Sequence, residues 1–519
     1  MDTLNSDGQR FAQAIASARS RFLETQDAKS AAEKVHVIGA GRALTSAYEQ
    51  LRNAAEYTEE HLLLQRAIRR FYKRTFLTNN AADIHTSGDE LVTELTLAGY
   101  IPNDSVPSEL AREMSIVASE YFSAYGSLHS PTNDRADRWC IDVLAVDIES
   151  RLSDWELRDV FVQFAFDQFT RLIDPVKLFR GEQPADFELS LYAAVHRALL
   201  KSDNPTIRWA LLRRFRQSPN HLDNYTQVNE MIDQLLESKT TDKLTRVVGR
   251  QGASLRVLWR FMNDHEDAAE LLASPNKFLA AYEAQIATEY SEIDSKITRG
   301  IIKSVMFLIV TKFLIGIAIE VPYDYLVHGE ILWTPLVVNL LLPPVYMILL
   351  RFTLSLPGPA NTVALVDQIE SMLYKDTVNK RMVVAGAKQQ YSAAFNVAYG
   401  LLFVIIFGLV SWGLMSIGFS IVHLLIFFVF FSAASFLGFR LSRTIRELEA
   451  VDSEQSGVSM IRDVIYMPFV VVGQKLSEGY SKFNFVAMML DMLIELPLKT
   501  VLRLVRQWGS FISAKKDDL

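Results

Sequence analysis

Sulfur chemistry is nearly absent from this sequence, which has one cysteine, Cys140, in 519 residues. A lone thiol cannot close an internal disulfide or build a Cys-rich zinc site, and it suits a reducing compartment. The nine histidines are scattered. None pairs with another at metal-ligand spacing on one helix, and no serine or cysteine stands in a nucleophile motif. Residues 1–30 lack a basic start followed by an apolar run. Phe11, Ala14, Ile15, Ala18 and Phe22 recur there at helical spacing among charges, so internal segments are expected to direct membrane insertion. Alternating strand patterns bounded by turn pairs are scarce. Positive charge is short in residues 1–300, where 35 Lys and Arg face 44 Asp and Glu, a net of −9; the remainder has 18 against 16, a net of +2. So acidic a part does not draw nucleic acid or anionic lipid through its overall field. Nothing here implies a cofactor or a metal.

Apolar length is what the chain has in abundance. Four segments, Ile301–Leu326, Ile331–Leu350, Phe395–Leu414 and Ser420–Phe439, are long enough to cross a bilayer, because about 20 apolar residues in a helix match a hydrocarbon core of about 30 Å. Lys and Arg in the connections set the expected orientation. Lys296, Arg299 and Lys303 precede the first segment, and none stands between Glu320 and Glu330. Arg351, Lys375, Lys380, Arg381 and Lys388 fall between the second and third, and Arg440, Arg443 and Arg446 follow the fourth. Both termini are therefore expected in the cytoplasm of a cell whose plasma membrane holds the protein.

The expected class is all-α. A helical cytoplasmic domain spans 1–274, a stalk helix 275–300, the four-helix region 301–440 with a cytoplasmic loop at 351–394, and a tail with amphipathic helices 441–519. Apolar stripes at i, i+3, i+4, i+7 carry this reading: Leu64, Ala67, Ile68 and Phe71; Leu110, Met114, Val117 and Tyr121; Leu157, Val160, Phe161 and Phe164. Start signals accompany them. Ser153 and Glu156 have capping-box spacing, and Asn204 and Ser274 each precede a proline. A stacked helical-repeat solenoid stays open, although no period is visible. From Pro275 the residues Leu279, Tyr282, Ile286, Tyr290, Ile293 and Ile297 keep a spacing of three or four, interrupted only by Gly300. One helix of about 45 residues is expected to run from there into the bilayer, packed on the domain or on a second copy of itself, or acting as a lever.

In the tail, Val464–Val472 and Phe485–Leu496 are apolar but short, which suits interfacial or re-entrant pieces or helices lying on the spans. Beyond Pro497, Leu498, Val501, Leu502, Val505, Trp508 and Ile512 make one apolar face, flanked by Lys499, Arg503 and Arg506, with Lys515 and Lys516 beyond. That composition fits a helix lying on anionic lipid. Docking on protein is the plain alternative.

The tail pattern Asp491-Met-Leu-Ile-Glu495-Leu-Pro497-Leu-Lys499, the stretch from Leu51 to Arg70 and the segment Glu320-Val-Pro322-Tyr-Asp324 resemble multi-pass membrane proteins of small-genome candidate-phylum bacteria. The resemblance implies a bacterial plasma membrane. It implies no activity, since that group carries no assigned one.

Lys34–Leu44 imitates a strand leading into a dinucleotide-binding glycine turn, but Leu44 stands where a small residue is needed and no second buried strand follows. Polar residues in the apolar segments remain as candidates, since charge at membrane depth is costly and meets a partner or water. Lys312 lies about 13 Å beyond Lys303 along the helix. Glu320 and Asp324 are expected at the outer interface, and Asn339 sits in a segment kinked by Pro335, Pro343 and Pro344. Asp491 and Glu495, four apart, could hold a cation, or Glu495 could pair with Lys499. A membrane-anchored scaffold or regulator with a protein partner for the acidic domain uses every part of the chain. A channel or transporter using Lys312, Glu320 and Asn339 is the alternative, and enzyme chemistry has no positive sign.

A peptide covering Leu498–Lys516 should be disordered in water and become helical on anionic vesicles, as read by circular dichroism. Replacing Lys499, Arg503 and Arg506 with Gln should cost about 3 kcal/mol of binding at low salt. Equal binding to neutral and anionic vesicles would point to docking on protein instead.

Overall fold

A computed structural model of the chain describes residues 4–37, 42, 45–46, 49, 62–77, 81–130, 133–354, 356–375, 393–450 and 457–482. Among these residues the regular elements are α and π helices, and the β-bridges are isolated, Lys34 with Pro107 and Ser130 with Asn133. The class is all-α, as the periodicity predicts. The glycine turn after Lys34 and the whole tail from 483, with Asp491, Glu495, Lys499, Arg503 and Arg506, lie outside the described residues. Two compact units are formed, one over Ser6–Val248 and one over Gly249–Phe483 joined by Asn5.

In the first unit the helices are α1 (Ser6–Ala31), α2 (Leu63–Leu77), α3 (Ala81–His85), α4 (Ser87–Ala98) and α5 (Ser108–Leu128). A π turn (Asp137–Ile141) leads into α6 (Asp142–Leu152), followed by α7 (Glu156–Leu172), α8 (Pro175–Leu178), α9 (Phe187–Leu199), α10 (Asn204–Arg214), α11 (Leu222–Leu236) and α12 (Lys239–Gln251). Trp139, Cys140, Ile141, Val143, Leu144, Ala145, Val146 and Ile148 are all buried, as are Asp142 and Glu149, so the segment through α6 buries residues on every side. Only a central helix meets that condition. It is surrounded by α2, α5 and α10, and it is tied to α11 by the Tyr225 hydroxyl donating to the Trp139 carbonyl and by Trp139 Nε1 donating to Asp233 at 3.2 Å. Neighbours so distant in sequence are not the nearest-neighbour stack of a solenoid. α1 lies on α7, with Phe11 stacked on Phe164 at 4.1 Å.

The start signals resolve differently from their spacing. α7 begins at Glu156 behind Trp155, and it is Asp154 whose carboxylate receives the Leu157 N–H at 3.5 Å, so Ser153 forms no capping box. α10 is capped by Asp203, one residue before Asn204, because a carboxylate there reaches the Thr206 N–H at 3.1 Å. Ser274 does hold the N-cap position ahead of Pro275.

The second unit contains α13 (Ala253–Asp264), α14 (Ala268–Leu272), α15 (Pro275–Ile315), a π turn (Gly316–Glu320), α16 (Val321–His328), α17 (Trp333–Thr353), α18 (Pro359–Leu373), α19 (Ala393–Ser416), α20 (Ile421–Arg446) and α21 (Gly457–Lys482). Among the described residues four helices are long and apolar enough to cross a membrane, and the first runs 54 residues from Pro275 to His328 without a break. The expected loop after Glu320 is thus helix as far as His328, where Gly329 ends it at φ +75°. Gly300 does not interrupt the helix: a methyl group there would meet Leu441 Cδ2 at 2.7 Å, so α15 and α20 touch at that point. The stalk face is built from Phe278, Tyr282, Ile286, Ile293 and Ile297, all buried against α13, α14 and α18.

Residues 351–394 are more than a loop. α18 packs on α13 and α15, and Asn361 fastens it: its Nδ2 donates to the Tyr290 hydroxyl at 2.9 Å and the Leu448 carbonyl at 2.7 Å, while its Oδ1 receives the Ala450 N–H at 2.6 Å. Of the three readings open for Val464–Val472, packing on the spans is the one observed. α21 lies along α20, with Phe469 against Phe407, Phe428 and Phe431 and with Gly473 so close to the Ser432 carbonyl that a side chain there would collide with it.

Glu149 of α6 is buried in the first unit, where burial, relieved only in part by Arg158 and reinforced by the like charge of Asp203, pushes its carboxyl up to about 7. A carboxyl raised in the fold favours folding when protonated. Its contribution is complete below the unfolded value near 4.5 and is lost as pH rises toward 7, a swing of about 3 kcal/mol. Residues 6–248 should therefore melt cooperatively as a helical unit and lose stability between pH 4.5 and 7. Glu149→Gln should flatten most of that slope in pH-dependent chemical denaturation, leaving the part due to Asp142, Asp147 and Asp159, whose carboxyls burial also raises.

Candidate functional site

A continuous helix needs a donor at every N–H, and Pro322 has none to offer. The widened turn at Gly316–Glu320 immediately precedes it, and such turns take up one extra residue. The consequence is positional. In a regular α-helix eight residues overshoot the starting face by about 80°; with one residue absorbed, Glu320 returns to the face of Lys312. Gly316, Glu320 and Asp324 then follow Lys312 along one buried line.

Lys312, Glu320 and Asn339 meet. Lys312 Nζ stands 3.4 Å from Glu320 Oε1 and 4.6 Å from the centroid of the Phe430 ring, and its side chain is 1% exposed. Asn339 Nδ2, from α17, donates to the same Glu320 oxygen at 3.1 Å and to the His423 carbonyl of α20 at 3.2 Å. Three helices are joined by these bonds. A fixed Coulomb partner, a ring face and a shared amide replace the water that a buried ammonium would otherwise need.

One turn beyond Glu320 a second group begins. Asp324, expected at the outer interface, is fully buried and is the one residue of α16 that is. Its Oδ2 receives the Leu332 N–H at 3.0 Å; its Oδ1 faces His423 Nε2 at 3.3 Å and His328 Nδ1 at 3.7 Å. His423 Nδ1 lies 2.8 Å from the Ser420 hydroxyl and accepts the Ser420 N–H at 3.4 Å, closing a capping box at the start of α20. Asp324 is among the polar residues that the sequence points to; its pairing with His423 and the part played by Ser420 are what hydropathy and spacing did not single out. A serine three residues before a residue able to reach back is the capping-box spacing, and it was the available signal.

Ser420, His423 and Asp324 have the composition of a hydrolytic triad. Ser420 Oγ, however, also receives the His423 backbone N–H in the cap, which commits it to the helix end. In the first unit, His196 is pushed down to about 3 by burial and by Arg158, so it is neutral and no base near pH 7. Burial pushes the Cys140 thiol up to about 12, which makes it inert. Two clefts, of about 510 and 620 Å³, open on the same unit. Arg21 in the first is paired with Glu156 at 3.0 Å, and Arg213, shared by both, with Asp159 at 2.9 Å, leaving surfaces of mixed charge, the first around Trp155 and Trp209 and the second around Phe11, Phe164 and Tyr192. Among the described residues no group of three or more His, Cys, Asp and Glu is arranged to hold a metal.

No protein-family model, curated protein or solved structure matches this chain.

Removing one member of a buried ion pair strands the other. Lys312→Met should destabilise the bundle by about 3–5 kcal/mol in reversible detergent unfolding, and adding Glu320→Gln should recover most of that loss. Equal and additive losses would mean that the two groups do not depend on each other.

Proposed function

We propose that the protein is a scaffold or regulator anchored in a bacterial plasma membrane, with both termini in the cytoplasm and a protein partner bound by the helical unit over residues 6–248. The observation that carries this reading is the unbroken helix from Pro275 to His328, whose first half is packed on by α13, α14 and α18 and whose second half is a span. Such a helix holds cytoplasmic structure rigidly at the bilayer. Within the spans, the buried charge of Lys312 is met by Glu320, which suits an anchor. The two clefts, one beside Trp155 and Trp209 and one beside Phe11, Phe164 and Tyr192, offer concave surface of the kind a partner occupies. Anionic lipid at the tail, self-association through the stalk and the bacterial setting belong to the same reading.

A second reading, transport of an ion or solute, is favoured by one observation: Asn339 Oδ1 is buried without a hydrogen-bond partner beside the ion pair. A polar atom of that kind costs free energy unless something visits it.

Cys140 is buried and inert, so added cysteines report alone. Cysteines replacing Ser416 and Glu330 should react with an impermeant maleimide in intact cells, and one replacing Asp367 should not; the opposite pattern inverts the topology. Proteoliposomes carrying the full chain should show no cation or proton flux above empty vesicles. A flux abolished by Lys312→Met replaces the anchor reading with transport.

A further inference from the structure

Hydrogen-bond direction around His423 determines where its proton sits. The Ser420 backbone N–H can only donate, and it points at His423 Nδ1 at 3.4 Å. That nitrogen therefore carries a lone pair, and the proton of the neutral ring is on Nε2, 3.3 Å from Asp324 Oδ1. Asp324 has committed its other oxygen to Leu332. His423 and Asp324 are fully buried, whereas Ser420, whose hydroxyl lies 2.8 Å from Nδ1, is half-buried at the turn between α19 and α20.

We infer that His423, with Asp324 as its counter-charge and the Ser420 hydroxyl as its entry, is a proton-binding site whose occupation releases the cap of α20. It goes beyond the anchor reading and requires no partner on the cytoplasmic unit. Nδ1 takes a proton from the Ser420 hydroxyl, which regains one from water or hydronium, so the site gains one positive charge and no other bond is made or broken. The charged ring then has two donors. One faces the Asp324 carboxylate; the other faces the Ser420 N–H, and two donors at that distance repel. Ser420 must turn, its hydroxyl oxygen accepting from Nδ1–H while the backbone N–H gives up its partner.

The remaining neighbours set how this is felt. From the first span the titratable groups are Asp324, His328 against the same carboxylate oxygen, Tyr323 with its ring centroid 6.1 Å from His423, and, deeper, Glu320 and Lys312. Asn339 is the polar contact from α17, with Tyr346 further along against Phe431, and the turn before α20 brings Phe419 at 6.0 Å and no charge. Asn339 holds the His423 carbonyl and Glu320 together. Movement of the cap therefore pulls on the bond that supports the Lys312 ion pair.

The test uses the full chain in phosphatidylcholine nanodiscs, with an environment-sensitive fluorophore on a cysteine replacing Ile417, which is exposed beside the cap. A reversible one-proton transition is expected as pH falls from 8 to 5. His423→Gln should abolish it and His328→Gln should leave it. Asp324→Asn should lower its midpoint by about one pH unit or more, since an opposite charge that favours the charged ring has gone. A transition that survives His423→Gln, or that His328→Gln removes, overturns the assignment. So does an unmoved midpoint in Asp324→Asn, which serves where His423→Gln fails to fold. Independently, nitrogen-15 spectra of histidine-labelled protein at pH 8 should contain a neutral Nε2–H ring hydrogen-bonded at Nδ1; its absence also overturns the proposal.

Discussion

The bundle depends on one constraint: a charge placed at membrane depth must find its compensation inside the protein. Lys312 meets that constraint with Glu320, and the pairing requires the helix to change its pitch between them. Pro322 provides the occasion, since a helix that must lose an N–H there accommodates a wide turn just before it. Once Glu320 has turned inward, Asp324 follows it, and Asn339 and His423 face these two carboxylates from two other helices. A polar seam thus specifies which helices meet and at what height, something that uniform apolar faces in lipid do poorly.

Elsewhere contact is made by absence of side chain. Gly300 lets α20 approach the first span, Gly438 does the same for α17 at Leu350, and Gly473 seats α21 on the Ser432 carbonyl. These are steric permissions; the seam supplies direction. The unit over residues 6–248 works on a different plan, with one helix buried on every side and polar ties such as Arg208 to Asn229 at 2.9 Å fixing the helices around it.

Much of the fold was legible because it follows from hydropathy and period. The four long segments, the stalk stripe and the buried stripes of α2, α5 and α7 all rest on averages over many residues, which tolerate a local exception. What escaped notice rests on single residues. Lys312 and Glu320 fall on different faces at 3.6 residues per turn, so their pairing is invisible until the wide turn is known. Asp203 outcompeted Asn204 for a cap by one position. Asp324 looked interfacial because charge counting treats a run without Lys or Arg as loop. α18 was hidden for a related reason: its inward residues Leu365, Ile369 and Leu373 lie in a stretch whose basic residues make charge counting treat it as a connecting loop.

The sequence separations of these contacts also order them in time during synthesis. Lys312 meets its carboxylate eight residues later, so the first span can leave the ribosome with its charge already answered. Asn339 waits 84 residues for the His423 carbonyl, and Asn361 waits 87 for Leu448. At about 5–20 residues per second those waits last roughly 4–17 s. Through that interval the first two spans are held only by each other, and the stalk layer stays open. Closure of the stalk layer by Asn361 is then a late event, made only after the fourth long apolar helix has been translated.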